Sequence, residues 1–366
     1  KYPSMCYYLF FIYGYPLEIH KVLTEDGYYL EMHRIPHGRN NNYIAGVQTP
    51  ILLQHGLSGS SADWVIMGPG KSLAYLLADE GHDVWLGNNR GNIYSRNHSS
   101  LLYHICLFSY HELGIYDLPG IIDYILDKTR QKKLTYIGHS QGTTQFWVMT
   151  SERPNYNSKI ALMVGLAPAA FTGNIRGPRI GEIFGYPEFR SRSAWGKFVS
   201  NLFCQDATTT QFLCSNILFL VAGFSQAELN TVRFYIFFIC HANLPIIIGH
   251  IPAGASWKQF VHFGQGYMNP DTFRQFDYAN NEKNYKMYNS SVPPQYELEK
   301  ITAPVALFSS DNDWLATPKV NEIILNNVVF HHKISTATFN HYDFIWGKSS
   351  PQVIFEPIFE LLKKYR

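Results

Sequence analysis

The chain has 366 residues, 46% of them hydrophobic, 16% aromatic and only 16% charged, with a formal net charge of +2. This is a globular composition with enough apolar material for a large core, which excludes a disordered or low-complexity protein. The 30 Lys and Arg residues form no run of five or six and accompany no zinc-finger, RRM or phosphate-loop motif, which argues against a nucleic-acid partner.

The first predicted element is a β-hairpin from about Val22 to Arg34, because "HKVLTEDGYYLEMHRIPHG" alternates around a Glu-Asp-Gly turn. Ile51 to Leu53 are apolar and run into small polar residues, as a buried strand feeding a loop would. Lys71 to Glu80 have helical periodicity with Gly81 as the stop, and Val84 to Leu86 predict another buried strand. "YDLPGIIDYILDKTR" predicts a helix with Asp117 as its cap and Pro119 in its first turn. "KLTYIGHS" reads as strand to turn, "GTTQFWVMT" as helix and "KIALMVGLAP" as strand. Buried strands alternating with helices imply βαβ crossovers and a mostly parallel central sheet flanked by helices, an α/β class.

The alternation stops near Ala170, and the chain is then irregular, aromatic and rich in Gly, Pro and Asn to about Leu298. Strand character returns in "APVALFSSDND" and "NVVFHHKIS", and a closing helix is predicted from about Pro351 to Lys364. The expected organisation is therefore one core built from residues 1–170 and 299–366, interrupted by an insertion over 171–298. No run of 18 apolar residues occurs; the greasiest stretch, "FYIFFIC" (Phe234 to Cys240), is too short to cross a membrane as a helix.

The five cysteines (Cys6, Cys106, Cys204, Cys214 and Cys240) include no CxxC pair, so a zinc ribbon or thioredoxin-like motif is unsupported. Cys204 and Cys214 enclose a short polar loop, and their spacing suits a local disulfide as well as two independent thiols. Two glycosylation sequons begin at Asn97 and Asn289 and matter only in a secreted chain.

The chemistry centres on Gly138-His139-Ser140-Gln141-Gly142, a G-x-S-x-G sequence between a predicted strand and a predicted helix. That context is the nucleophile elbow of α/β-hydrolases, in which the glycines give the turn room and the serine oxygen stands exposed. A serine hydroxyl needs a base, a group to orient that base, and N–H donors for the developing oxyanion. In this fold the order is Ser, then acid, then His, which restricts the base to the C-terminal part. His331 and His332 sit inside a predicted strand, whereas His341 lies between that strand and the last helix, where a loop can present it over the sheet; His341 is the preferred base. The acid is Asp311 or Asp313, both just beyond the strand Val305 to Phe308, and position does not separate them. The oxyanion donors expected are the N–H of Gln141 and that of Leu57, in "QHGLSGS" after an early strand.

Taken together, "VLTEDGYYLEMHRIPHG", "LLQHGLSGSSADW", "NRGNIYSRNH", "YIGHSQGTTQFW", "LCSNILFLVAGF", "GHIPAGAS", "SDNDWLATP" and "FNHYDFIWG" resemble the acid lipase family, which includes gastric and lysosomal acid lipases and insect relatives. The matching stretches run in order along nearly the whole chain. The resemblance implies Ser140 as nucleophile, His341 as base, and Asp313 rather than Asp311 as the orienting acid. It also implies Leu57 and Gln141 as oxyanion donors and a Cys204–Cys214 disulfide in a cap. Residues 171–298 would then be the cap and lid over an acyl-binding cleft, and the reaction hydrolysis of triacylglycerols or cholesteryl esters at a lipid–water interface, without metal or cofactor. A secreted or lysosomal destination would follow. Three segments depart from the family pattern: "FYIFFICHAN" (Phe234 to Asn243) reads as an insertion in the lid, the stretch around Cys106 is short and altered, and the start, "KYPSMCYYLFFIYGYP", is unlike a usual mature N-terminus. The competing expectations are a catalytically inactive lipid-binding protein on a lipase scaffold and a carboxylesterase or thioesterase of the same fold.

Overall fold

A computed structural model of the protein describes residues 5–39, 49–100, 108–176, 247, 249–316 and 327–365. Cys106, Cys204, Cys214, Cys240 and the Phe234 to Asn243 segment lie outside the described residues.

Strands β1 (Glu18–Leu23) and β2 (Tyr28–Ile35) form the expected hairpin, in register from Glu18↔Arg34 to Leu23↔Tyr29. The turn between them closes with hydrogen bonds from Thr24 N–H to the Tyr28 carbonyl (2.8 Å) and from Gly27 N–H to the Thr24 carbonyl (3.0 Å). Gly27 has φ +97°, a backbone state that a side chain would strain. Pairing begins at Glu18, four residues before the predicted start. The extra rungs carry polar side chains that are satisfied across the hairpin, Arg34 donating to Glu18 at 2.9 Å, so no apolar run marks them.

The remaining strands are β3 (Ile51–Gln54), β4 (Val84–Leu86), β5 (Asn97–His98), β6 (Leu134–His139), β7 (Ile160–Leu166), β8 (Val305–Ser310) and β9 (Val328–Ile334). Among the described residues they make one sheet in the order β1-β2-β4-β3-β6-β7-β8-β9, with β5 paired to β2. The pairings from β4 through β9 are parallel, and those involving β1, β2 and β5 are antiparallel.

Alternate residues of the parallel strands enter two separate cores. Ile51, Leu53, Ile137, Val164 and Phe308 join the first, together with helices α1 (Met5–Tyr13) and α2 (Leu73–Asp79) and the closing helix Glu356–Lys364. Leu52, Tyr136, Met163 and Leu307 join the second, with helices α3 (Leu118–Thr129) and α4 (Gln141–Glu152). Burial on both faces is why these strands read as continuous apolar runs rather than as alternating ones. The helix read as Lys71 to Glu80 spans Leu73–Asp79, flanked by Ser72 and Glu80, and Gly81 follows at φ +86°.

Asp117 does not cap a helix. The helical run starts earlier, at Tyr110 under a Ser109–Glu112 capping box, and passes through a π-helical turn, Leu113–Asp117, directly into α3. The Asp117 carboxylate instead accepts from Arg90 Nε at 2.7 Å and Arg90 N–H at 3.2 Å, while the other side of that guanidinium holds Asp26 in the hairpin turn. Arg90 and Asp117 are both almost fully buried, so the pair ties the hairpin to α3 through the core.

Between β7 and β8 the described residues include helices α5 (Trp257–Met268) and α6 (Asn281–Tyr288). No helix among the described residues is long and apolar enough to cross a membrane.

Candidate active site

Ser140 stands where β6 ends and α4 begins, at φ 53° and ψ −120°. A non-glycine residue in this region is strained, and here the strain sits at the end of a central strand. The turn is pinned on both sides: Ser140 N–H donates to the Leu166 carbonyl at 3.0 Å, and the Ser140 carbonyl accepts from Thr143 N–H at 2.8 Å. The flanking glycines are required for space. A Cβ at Gly138 would lie 2.8 Å from the Gly142 carbonyl, and one at Gly142 would lie 2.3 Å from the Gln54 carbonyl oxygen. Strand β3, the elbow and the first turn of α4 thus meet at backbone contact.

His341 lies in the connection between β9 and a short helix, Asp343–Trp346. Its neighbour Asn340 folds that connection by accepting from the N–H groups of Tyr342 (2.9 Å) and Asp343 (3.1 Å). The His341 Nδ1 lies 3.0 and 2.9 Å from the two carboxylate oxygens of Asp313. A carboxylate only accepts, so Nδ1 carries the proton and Nε2 is left as the basic nitrogen. Asp313 is wholly buried, and its Oδ1 also accepts the N–H groups of Leu315 (2.9 Å) and Ala316 (2.8 Å). Asp311, the residue that spacing could not separate from it, is exposed and pairs with Lys333 at 2.8 Å. His331 stays on β9, bonded to Ser309 at 2.9 Å, as does His332.

The loop carrying Leu57 runs over the elbow: a Cβ on Gly56 would lie 3.1 Å from Ser140 Cβ and 3.2 Å from His139 Nδ1. Gln141 opens α4, where backbone N–H groups have no intrahelical acceptor. His55 holds the Gly56 carbonyl through Nδ1 at 2.8 Å, while its Nε2 accepts from Asn89 N–H at 3.1 Å. Burial pushes the His55 pKa down to about 4, so the ring is neutral and both bonds keep their direction. In a planar trans peptide the C=O and N–H point oppositely, so fixing the Gly56 carbonyl also fixes the direction of the Leu57 N–H.

His139 bridges the site. Its Nε2 lies 2.8 Å from the His341 carbonyl oxygen, and the two rings are 4.9 Å apart. The contributions of His55 and of the His139 side chain were not read from the sequence. The dipeptides His-Gly and His-Ser marked their positions, but their partners lie 34 and 202 residues away. Asn97 and Asn289, which open the two sequons, are both exposed. Among the described residues no cluster of three or more His, Cys, Asp or Glu could hold a metal ion.

A serine in a strained strand-to-helix elbow, with an Asp-bound histidine after the last strand of a largely parallel sheet, defines an α/β-hydrolase site. Two family models match accordingly: a partial α/β-hydrolase lipase region over residues 6–68 and the α/β-hydrolase fold over residues 49–191. The chain is 37% identical over 365 residues to the gastric triacylglycerol lipase of Rattus norvegicus, covering 95% of this chain and 89% of that protein. It is 37% identical over 369 residues to the human lysosomal acid lipase/cholesteryl ester hydrolase (96% and 89% covered), and 38% identical over 371 residues to Lipase 3 of Drosophila melanogaster (96% and 91%). The chain belongs to the acid lipase family. Solved structures that share the fold include a thermophilic esterase from Thermogutta terrifontis, with TM-score 0.51 at 14% identity and coverage of 95% and 99%. An epoxide hydrolase from Bacillus megaterium has TM-score 0.54 at 12% identity, covering 94% and 100%. Their different activities illustrate that at this distance only the fold is shared.

Proposed function

We propose that the protein is a serine ester hydrolase, a lipase that cleaves triacylglycerols or cholesteryl esters through an acyl-enzyme. The observation that carries this reading is the buried His341–Asp313 pair, whose two Nδ1 contacts at 2.9 and 3.0 Å leave Nε2 as the basic nitrogen. Ser140 Oγ attacks the ester carbonyl as His341 Nε2 takes its proton. The N–H groups of Leu57 and Gln141 receive the charge that develops on the carbonyl oxygen. His341 then returns the proton to the leaving alcohol, and water repeats the cycle on the acyl-enzyme. Asp313 stays ionised and stabilises the imidazolium. No step calls for a metal or cofactor.

Residues 171–298 form the cap over an acyl-binding cleft, and residues 1–170 and 299–366 the hydrolase core. In support, β7 ends at Leu166 and its neighbour β8 begins at Val305, so the intervening chain leaves the sheet at the end where Ser140 stands. A secreted or lysosomal destination is supported by the gastric and lysosomal relatives. A Cys204–Cys214 disulfide in the cap and glycans on the exposed Asn97 and Asn289 accompany that destination.

The test is Ser140→Ala. Hydrolysis of a short-chain p-nitrophenyl ester and labelling by a fluorophosphonate probe should both vanish, with the circular dichroism spectrum unchanged. Turnover that survives in this variant defeats the assignment. Comparing emulsified long-chain triglyceride, cholesteryl ester and soluble short esters between acid and neutral pH then fixes the substrate class.

A further inference from the structure

We propose that His139 is a positioning residue for the base: its Nε2–H donates to the His341 backbone carbonyl and registers the imidazole against Ser140. The inference rests on the hydrolase reading above. The Asp313 bond fixes the tautomer and the direction of the His341 ring, but it ties the ring to the connection after β8 and not to the nucleophile. The contact from His139 ties the base loop to the elbow itself. At 2.8 Å it joins residues adjacent to and within the reacting pair. A carbonyl oxygen can only accept, so His139 must carry its proton on Nε2.

The surroundings hold it in that form. His139 is buried, and burial, together with the neighbouring His341 and His55, keeps its pKa well below the usual histidine range. It therefore remains neutral, with Nδ1 unprotonated on the side facing Gly56. The main chain of His139 belongs to β6, whose rungs to β7 run from Leu134↔Ile160 to His139↔Leu166. Through this side chain, the rigid centre of the sheet sets the height of a base that sits in a loop beyond the last strand. The same residue also touches the Gly56 turn, so nucleophile, base and oxyanion loop converge on one imidazole.

The experiment compares His139→Phe, which keeps a ring and loses the donor, with His139→Gln, whose amide nitrogen stands the same number of bonds from Cα as Nε2. Wild-type labelling at Ser140 by a fluorophosphonate is measured first; its absence defeats the hydrolase reading itself. With labelling established, His139→Phe should lower kcat on p-nitrophenyl butyrate by about tenfold, the equivalent of one net hydrogen bond, with KM unchanged. His139→Gln should recover most of that loss. Should His139→Phe not fold, His139→Leu against His139→Gln gives the same comparison. The proposal is overturned by a donor-free variant with wild-type kcat, by a Gln variant no better than Phe or Leu, or by a loss that appears in KM instead of kcat.

Discussion

Replacing Asp313 by Asn tests the geometry of the base most sharply, because the structure dictates which way the new amide must face. Oδ1 accepts two backbone N–H groups, from Leu315 at 2.9 Å and Ala316 at 2.8 Å. An NH2 group at that position would meet two donors with a third, so the amide oxygen must stay there and the NH2 must occupy the Oδ2 position. That position lies 2.9 Å from His341 Nδ1, nearer than the 3.0 Å to the retained oxygen, so a proton on Nδ1 would face a donor at the shorter contact. The amide then donates to Nδ1, the proton moves to Nε2, and the base faces Ser140 with its proton already in place. Loss of the correct tautomer costs a factor of about 10⁴ in kcat, or about 5 kcal/mol of barrier. The fold should hold, since volume and the two backbone bonds are preserved. Initial rates on p-nitrophenyl butyrate for Asp313→Asn, Asp311→Asn and the wild type provide the assay. A kcat for Asp313→Asn within tenfold of wild type refutes the reasoning; a loss confined to Asp311→Asn transfers the role to the exposed residue.

Gly142→Ala should destabilise the fold by about 2 kcal/mol or more, because its Cβ would stand 2.3 Å from the Gln54 carbonyl oxygen and backbone cannot yield cheaply; urea denaturation measures this. His55→Phe removes the shorter of the two hydrogen bonds to the Gly56 carbonyl, leaving that from Gly59 N–H at 3.2 Å, and strands the buried Asn89 N–H, so kcat should fall by up to about a hundredfold while KM holds. Full activity in that variant would show that the Gly56–Leu57 peptide needs no such anchor. His262, fully enclosed, has a pKa pushed down to about 3 by burial, against about 6.5 when unfolded. The unfolded chain therefore binds a proton that the folded chain refuses, and stability falls as pH drops through 6.5 toward 3. Replacing it by Gln should flatten the decline in thermal midpoint between pH 6.5 and 4; an unaltered slope contradicts that origin.

The parallel core was legible because strands buried on both faces announce themselves as short apolar runs between helices, as Ile51 to Leu53 and Val84 to Leu86 do. The first rungs of β1 were not, since Glu18 and His20 are satisfied by partners that local alternation does not reveal. Asp117 misled for a related reason. An acidic residue two positions before a proline is a sound local start signal, but its partner Arg90 lies 27 residues upstream and draws it into the core. The elbow could be recognised because its five-residue spacing falls between a predicted strand and a predicted helix. The choice between Asp311 and Asp313 could not be made by position, since two residues of one turn diverge by their tertiary surroundings: one faces Lys333 and water, the other His341.

The adjacency of β7 and β8 has an evolutionary consequence. Everything between Leu166 and Val305 is a crossover between adjacent parallel strands, leaving at the C-terminal end of β7 and returning at the opposite end to start β8, so its length enters no strand register. Doubling a loop costs only about 0.6 kcal/mol in closure entropy. The strands that position the reacting residues and the segment between β7 and β8 can thus vary in length independently. Selection can lengthen, shorten or re-sequence that segment without shifting the pairing of the strands that carry Ser140 and Asp313.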